Sequence, residues 1–154
     1  RSSAMLAVIL SGSEARPMDS TTEIQTLLAG QPQPVCAQLT PFRVLFADGD
    51  AGIVRVEFSP QPAFENHFGN IQGGFSVAMM DVVVSLAAFV KTRQWIPTVE
   101  IKTSFVTPMP IAPAVGEGQV LRSGRSVTFV EGKLFAADGT LAVHATATLM
   151  AAKT

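Results

Sequence analysis

The chain is poor in the residue types that most often announce chemistry. Its 154 residues hold one cysteine, Cys36, and two histidines, His67 and His144. A single cysteine excludes an intramolecular disulfide framework and gives no cysteine metal cluster, so neither a metal nor a bound cofactor is expected. Cys36 itself reads as a small buried apolar residue. Such sparing use of cysteine fits a reducing, cytoplasmic setting. Charge is scarce as well: 15% of residues are charged, with Lys+Arg 11 against Asp+Glu 12 and a net charge of -1. Phosphate-rich partners ask for a basic excess, so nucleic acid is not expected as a partner. Internal repeats are absent, and the only biased stretches are proline-rich breaks.

The one long apolar run is also short of a membrane span. Phe75–Val90 covers about 16 residues, against the roughly 20 that cross a bilayer. It also carries Asp81 near its middle, where a charge adds about 2.5–3.5 kcal/mol to insertion. No membrane association is expected.

What the chain does have is apolar surface. Hydrophobic residues make up 47% of it, and the mean hydropathy is +0.34. One domain of this length can bury a real core, and the surplus points to a buried interface between copies. Residues 1–17, with a single positive charge and a short apolar stretch, poorly imitate a signal peptide. Met18 begins a more ordinary sequence, so 1–17 reads as an extension. Residues 18–40 read as a short helix and a linker. Ser20-Thr21-Thr22-Glu23 has the spacing of a capping box, Ile24, Leu27 and Leu28 form an apolar stripe, and Gly30 closes the helix. Gln31-Pro32-Gln33-Pro34 is the linker.

From 41 to 154 the pattern is that of one domain. Strands are predicted over Phe42–Phe46 and Ile53–Phe58, around a turn at Asp48-Gly49-Asp50. A proline-containing loop covers Ser59–Asn70, and a helix runs from Gly73 to Thr92. Four strands follow: Thr98–Val106 with clear alternation, Val115–Leu121, Ser126–Ala136 and Thr140–Ala151. Asp138-Gly139 marks a hairpin before the last. One long hydrophobic helix with an antiparallel sheet wrapped around it is an α+β solution.

Asp81 is the conspicuous residue in this pattern. A helix apolar all round is expected to be buried, and an ionisable group there should be paired, protonated or functional. At the start of the helix, Gly73-Gly74 leaves backbone N–H groups open at the positive end of the helix dipole. No Cβ blocks approach there, so such N–H groups can polarise a carbonyl oxygen. Tight packing at a turn would account for two glycines equally well. Gly73 and Asp81 lie about 12 Å apart along one helix, so they cannot serve one carbonyl from the same chain. Two helices antiparallel about a two-fold axis would bring the glycine of one copy to the aspartate of the other. A homodimer is therefore expected.

The set Asn66-x-x-Gly69-x-x-x-Gly73-Gly74-x6-Asp81, with Pro97-Thr98-Val99-Glu100-Ile101 and Gly124–Gly132, resembles the hotdog-fold acyl-CoA thioesterases of the phenylacetate-pathway (PaaI-like) type. The resemblance covers about residues 40–152. It implies hydrolysis of an acyl-CoA thioester, with coenzyme A as part of the substrate, and a dimer that often pairs into a tetramer. By the same resemblance Asp81 is the general base or nucleophile, and Gly73 supplies the N–H that polarises the carbonyl. Asn66 matches the amide that holds the carbonyl or the attacking water, and Thr98 falls where some members carry a water-positioning serine. The family's usual His-Gly-Gly is here Gln72-Gly73-Gly74. Gln72 can donate and accept hydrogen bonds but cannot take up a proton.

Two other readings compete. His67, 14 residues before Asp81, is reminiscent of hotdog 3-hydroxyacyl-thioester dehydratases, although the prolines usual around that histidine are missing. A non-catalytic acyl-CoA-binding module would use the same fold, but has little use for Asp81. Arg93, Arg122 and Arg125 are candidate contacts for the phosphates of coenzyme A. Met79, Met80 and the phenylalanines 64, 68, 75 and 89 are assigned to core or acyl pocket without a choice between them. Trp95 reads as packing at the helix end, and His144 as a structural residue.

Overall fold

In the computed structural model of the chain, residues 18–151 are described. The extension predicted over 1–17 lies outside them. A short helix α1 (Thr21–Ala29) precedes strands β1 (Phe42–Asp48) and β2 (Ile53–Phe58). The long helix α2 (Gly73–Thr92) follows, and then strands β3 (Thr98–Phe105), β4 (Ala114–Ser123), β5 (Val127–Phe135) and β6 (Leu141–Met150). Brief 3-10 turns at Val35–Gln38 and Pro62–Phe64 interrupt what the sequence pattern left as linker and loop.

The six strands form one sheet in the order β1-β2-β4-β5-β6-β3, antiparallel throughout. The helix packs across its concave face, mainly against β4, β2 and β5. Its contact side is Met79, Met80, Val83, Val84 and the run Leu86–Val90, all buried. This is the helix-filled α+β sheet that the pattern predicts. The register depends on glycines beneath the helix: a Cβ on Gly118 would lie 2.8 Å from the Val83 carbonyl oxygen. Only a bare backbone allows the helix that close.

Three local expectations are corrected. The hydroxyl of Ser20 makes no cap bond to α1. It donates to the Met18 carbonyl and accepts from the Gly49 N–H, each at 3.2 Å. The acid three residues on, Glu23, is taken by Arg93 through a two-pronged pair at 2.8 and 3.0 Å. Tertiary partners thus outcompete the local box, and Arg93 is committed to clamping α1 onto the end of α2. The second correction concerns α2, which is apolar nearly all round but not buried all round. Gly74, Ala78 and Asp81 are exposed, with Phe75, Val82 and Ser85 half-buried beside them. Third, Cys36 is exposed, because the linker carrying it lies on the surface of the domain.

Candidate active site

The outward face of α2 is roofed, at a distance, by the segment after α1. Between them lies a cleft of about 1260 Å³, somewhat larger than the roughly 300–1,000 Å³ usual for small-molecule sites. The floor is Phe75, Ala78, Asp81, Val82 and Ser85 of α2, and the opposite wall carries Leu28, Ala37, Leu39 and Phe42. Trp95 closes the end beyond α2. Residues i, i+3, i+4 and i+7 of a helix share a face, which is why positions 74, 78, 81, 82 and 85 line one cleft. Asp81 is the only Asp, Glu, Lys, Arg or His on these walls, and its carboxylate has no hydrogen-bond or ion-pair partner among the described residues.

At the N-terminal end of the cleft, the Gln72 side chain turns back as a helix cap. Its Oε1 accepts from the Gly74 N–H at 2.5 Å, while the backbone N–H of Gln72 donates to the Phe64 carbonyl at 2.8 Å. The Gly73 N–H has no acceptor among the described residues, so it is an open donor at the positive end of α2. Phe105 of β3 stands beside it, its ring carbon Cζ 3.1 Å from where a Cβ on Gly73 would fall.

Asn66 folds its own loop. Its Oδ1 accepts from the N–H groups of Phe68 and Asn70 at 2.8 and 3.2 Å, so the side chain fixes the turn leading to Gly73. The carboxamide NH2 has no partner among the described residues. Thr98, at the start of β3, places its hydroxyl 3.5 Å from that of Ser85. Ser85 sits one turn beyond Asp81 on the cleft floor and was not singled out from sequence; its i+4 spacing was the available signal.

His67 is exposed on the loop, its ring 4.1 Å from that of Phe68, and does not line the cleft. Arg122 and Arg125 are exposed at the end of β4 and in the turn after it, also off the cleft walls. Among the aromatic and methionine residues, Phe75 lines the cleft and stacks on buried Phe64, with centroids 4.0 Å apart. Met79, Met80 and Phe89 belong to the core, and Phe68 is exposed. No group of three or more His, Cys, Asp or Glu residues able to hold a metal ion occurs among the described residues.

The cleft thus presents a single carboxylate on apolar walls beside an open helix-end donor, with no nucleophile–histidine pair on those walls among the described residues. The model of the thioesterase superfamily matches residues 68–143. A protein of Saccharolobus solfataricus named as an esterase is 34% identical over 97 residues, which are 62% of this chain and 69% of the relative. A Ralstonia eutropha JMP134 structure, described as a thioesterase-class, phenylacetic acid degradation-related protein, superposes with a TM-score of 0.74. It is 30% identical, over 82% of this chain and 96% of that one. A Streptococcus mutans protein crystallised with acetyl CoA shares the fold at 14% identity and a TM-score of 0.69, over 81% of this chain and 96% of that one. The chain belongs to the thioesterase superfamily. Within it, the fold and these likenesses make it a hotdog thioesterase of the PaaI-like type.

Proposed function

We propose that the protein hydrolyses acyl-CoA thioesters to free acid and coenzyme A in the cytoplasm, as a homodimer or a dimer of dimers. The observation that carries this reading is Asp81, one unpartnered carboxylate on the floor of an otherwise uncharged cleft. Asp81 takes a proton from water as the water oxygen bonds to the thioester carbonyl carbon. The electron pair of the C=O bond moves to oxygen, and the Gly73 N–H of the second copy stabilises that oxyanion. Collapse breaks the C–S bond, and the departing thiolate regains a proton to give the free thiol. Attack by the Asp81 carboxylate itself, through an anhydride that water then hydrolyses, gives the same products.

Thioester carbonyls are electrophilic enough for a base and one donor to suffice. The donor contributes about 2.7–4 kcal/mol and the base roughly 10²–10⁴-fold. Asn66, through its free NH2, and Thr98, through Ser85, are the water- and carbonyl-positioning groups. Gln72 holds the helix start with Gly74. Arg122 and Arg125 are the cations available to the phosphates, outside the cleft. Dimerisation is supported by the sheet edge. β1 is flanked by α1, whereas β3 ends the sheet, with Val99 and Phe105 of the strand and Val106 just after it all more than half exposed, and Phe105 next to Gly73. An open apolar edge invites pairing with another copy.

The test is thiol release from acetyl-, decanoyl- and phenylacetyl-CoA by wild type and Asp81→Ala. Hydrolysis that falls by about 10²-fold or more in the variant is expected. Undiminished turnover in Asp81→Ala would remove Asp81 from the chemistry, and dehydration of 3-hydroxyacyl thioesters dependent on His67 would replace the reading altogether.

A further inference from the structure

The segment after α1 carries no periodicity and no charge, yet it supplies most of the far wall of the cleft. It is also tied down. The indole Nε1–H of Trp95 donates to the Gln31 Oε1 at 2.6 Å, and the indole ring stacks on Phe89 with centroids 4.6 Å apart. Gln33 donates to the carbonyls of Leu28 and Gln31. On the next turn, the Gln61 amide holds the carbonyls of Gln38 and Leu39 at 2.9 and 3.0 Å. Both ends of the segment are therefore pinned, one to the C-terminal end of α2 and the other to the loop before α2.

We infer that residues 31–39 are the acyl-selecting wall of the site and that the cleft accepts an extended apolar acyl chain lying along α2, away from coenzyme A. This rests on the thioesterase reading of Asp81. The chemistry of the walls carries it. The glutamines are engaged with the protein, Ser85 faces Thr98, and the remaining lining is aliphatic, aromatic or proline apart from Thr40, Cys36 and Asp81. Such a surface offers nothing to phosphates and few partners to the amides of a pantetheine arm, but it shelters methylenes. Its floor reaches from Gly74 past Asp81 to Leu86, roughly 18 Å of helix, so an acyl chain continues well beyond the reacting carbonyl. The wall is fixed rather than loose, so its position sets how much chain fits. Selectivity then follows from residues 31–39 and Trp95, none of which touches the reacting atoms.

Two substitutions fill the cleft from the wall without entering the core: Ala37→Phe and Leu39→Phe, the latter at a side chain 51% exposed. The measured quantity is the ratio of kcat/KM for decanoyl-CoA to that for acetyl-CoA. Displacing two methylenes is expected to lower this ratio about tenfold or more in each variant, with the loss in KM for the long substrate. The chain's one tryptophan gives a second reading that needs no turnover. Decanoyl-CoA titrated into Asp81→Asn should change Trp95 fluorescence, and adding Ala37→Phe should weaken that binding. Wild-type hydrolysis with an unchanged ratio in both variants would overturn the acyl wall and leave the thioesterase standing. Fluorescence binding sensitive to Ala37→Phe, without hydrolysis of any thioester, would support the wall and sink the hydrolase. No fluorescence response and no ratio change would overturn the inference.

Discussion

Asp81 stands out in sequence because nothing near it in the chain is charged, and it stands out in space for the same reason. The sequence pattern expected it in a buried helix. In the single chain it is exposed, and the water-poor setting its proposed role asks for would come from substrate and a second copy. The Gln72 side chain has a visible job at the start of α2, capping the Gly74 N–H. Replacing it with alanine removes that acceptor from an exposed helix start. Gln72→Ala should lower unfolding free energy by about 1 kcal/mol, read as a shift in the urea midpoint. An unchanged midpoint would mean that the cap contributes nothing to stability.

At the scale of elements, α2 and the strands were legible because their signals are local: alternation in β3 and an uninterrupted apolar run in α2. The cleft wall was not. Gln31 and Trp95 are 64 residues apart, and a Gln-Pro-Gln-Pro stretch reads as a linker whether or not it covers a site. The capping box failed for a related reason, since Ser20 and Glu23 find partners beyond the helix. Helix-to-sheet contact at the glycines gives a graded prediction. A methyl group on Gly118 would press on the Val83 backbone, whereas on Gly132 it would meet the Met80 methyl at 2.5 Å, the far end of a flexible side chain. Gly118→Ala should therefore cost more than Gly132→Ala, within the usual 1–3 kcal/mol of overpacking; equilibrium urea unfolding of both ranks them, and the reverse order would refute this packing. On the outer face of β5 and β6, His144 lies 2.9 Å from Glu131 and Lys133 lies 3.1 Å from it. The hydrogen bond with His144 is the main cause that holds the Glu131 carboxyl below its usual value of 4.5, with burial opposing and Lys133 assisting. A depressed carboxyl stabilises the fold above the usual value, and that contribution is lost as pH falls through the folded one. The urea midpoint should thus drop below pH 4.5 less steeply in His144→Ala than in wild type, and parallel acid limbs would count against the pair.

At the scale of the whole molecule, the proposed chemistry is divided within a single chain. Gly73 and Asp81 sit on one helix too far apart to share a carbonyl, and β3 presents an open apolar edge beside Gly73. Both features are resolved if each site takes its donor from one copy and its carboxylate from the other. Co-expression of Asp81→Ala with Gly73→Val, each inactive alone, tests this directly. A mixed dimer then contains one intact site and one doubly damaged site. The account predicts recovery of about a quarter of wild-type thiol release, from the half of dimers that are mixed at random assembly. Folded mixed dimers that recover no activity would contradict a site built across two copies.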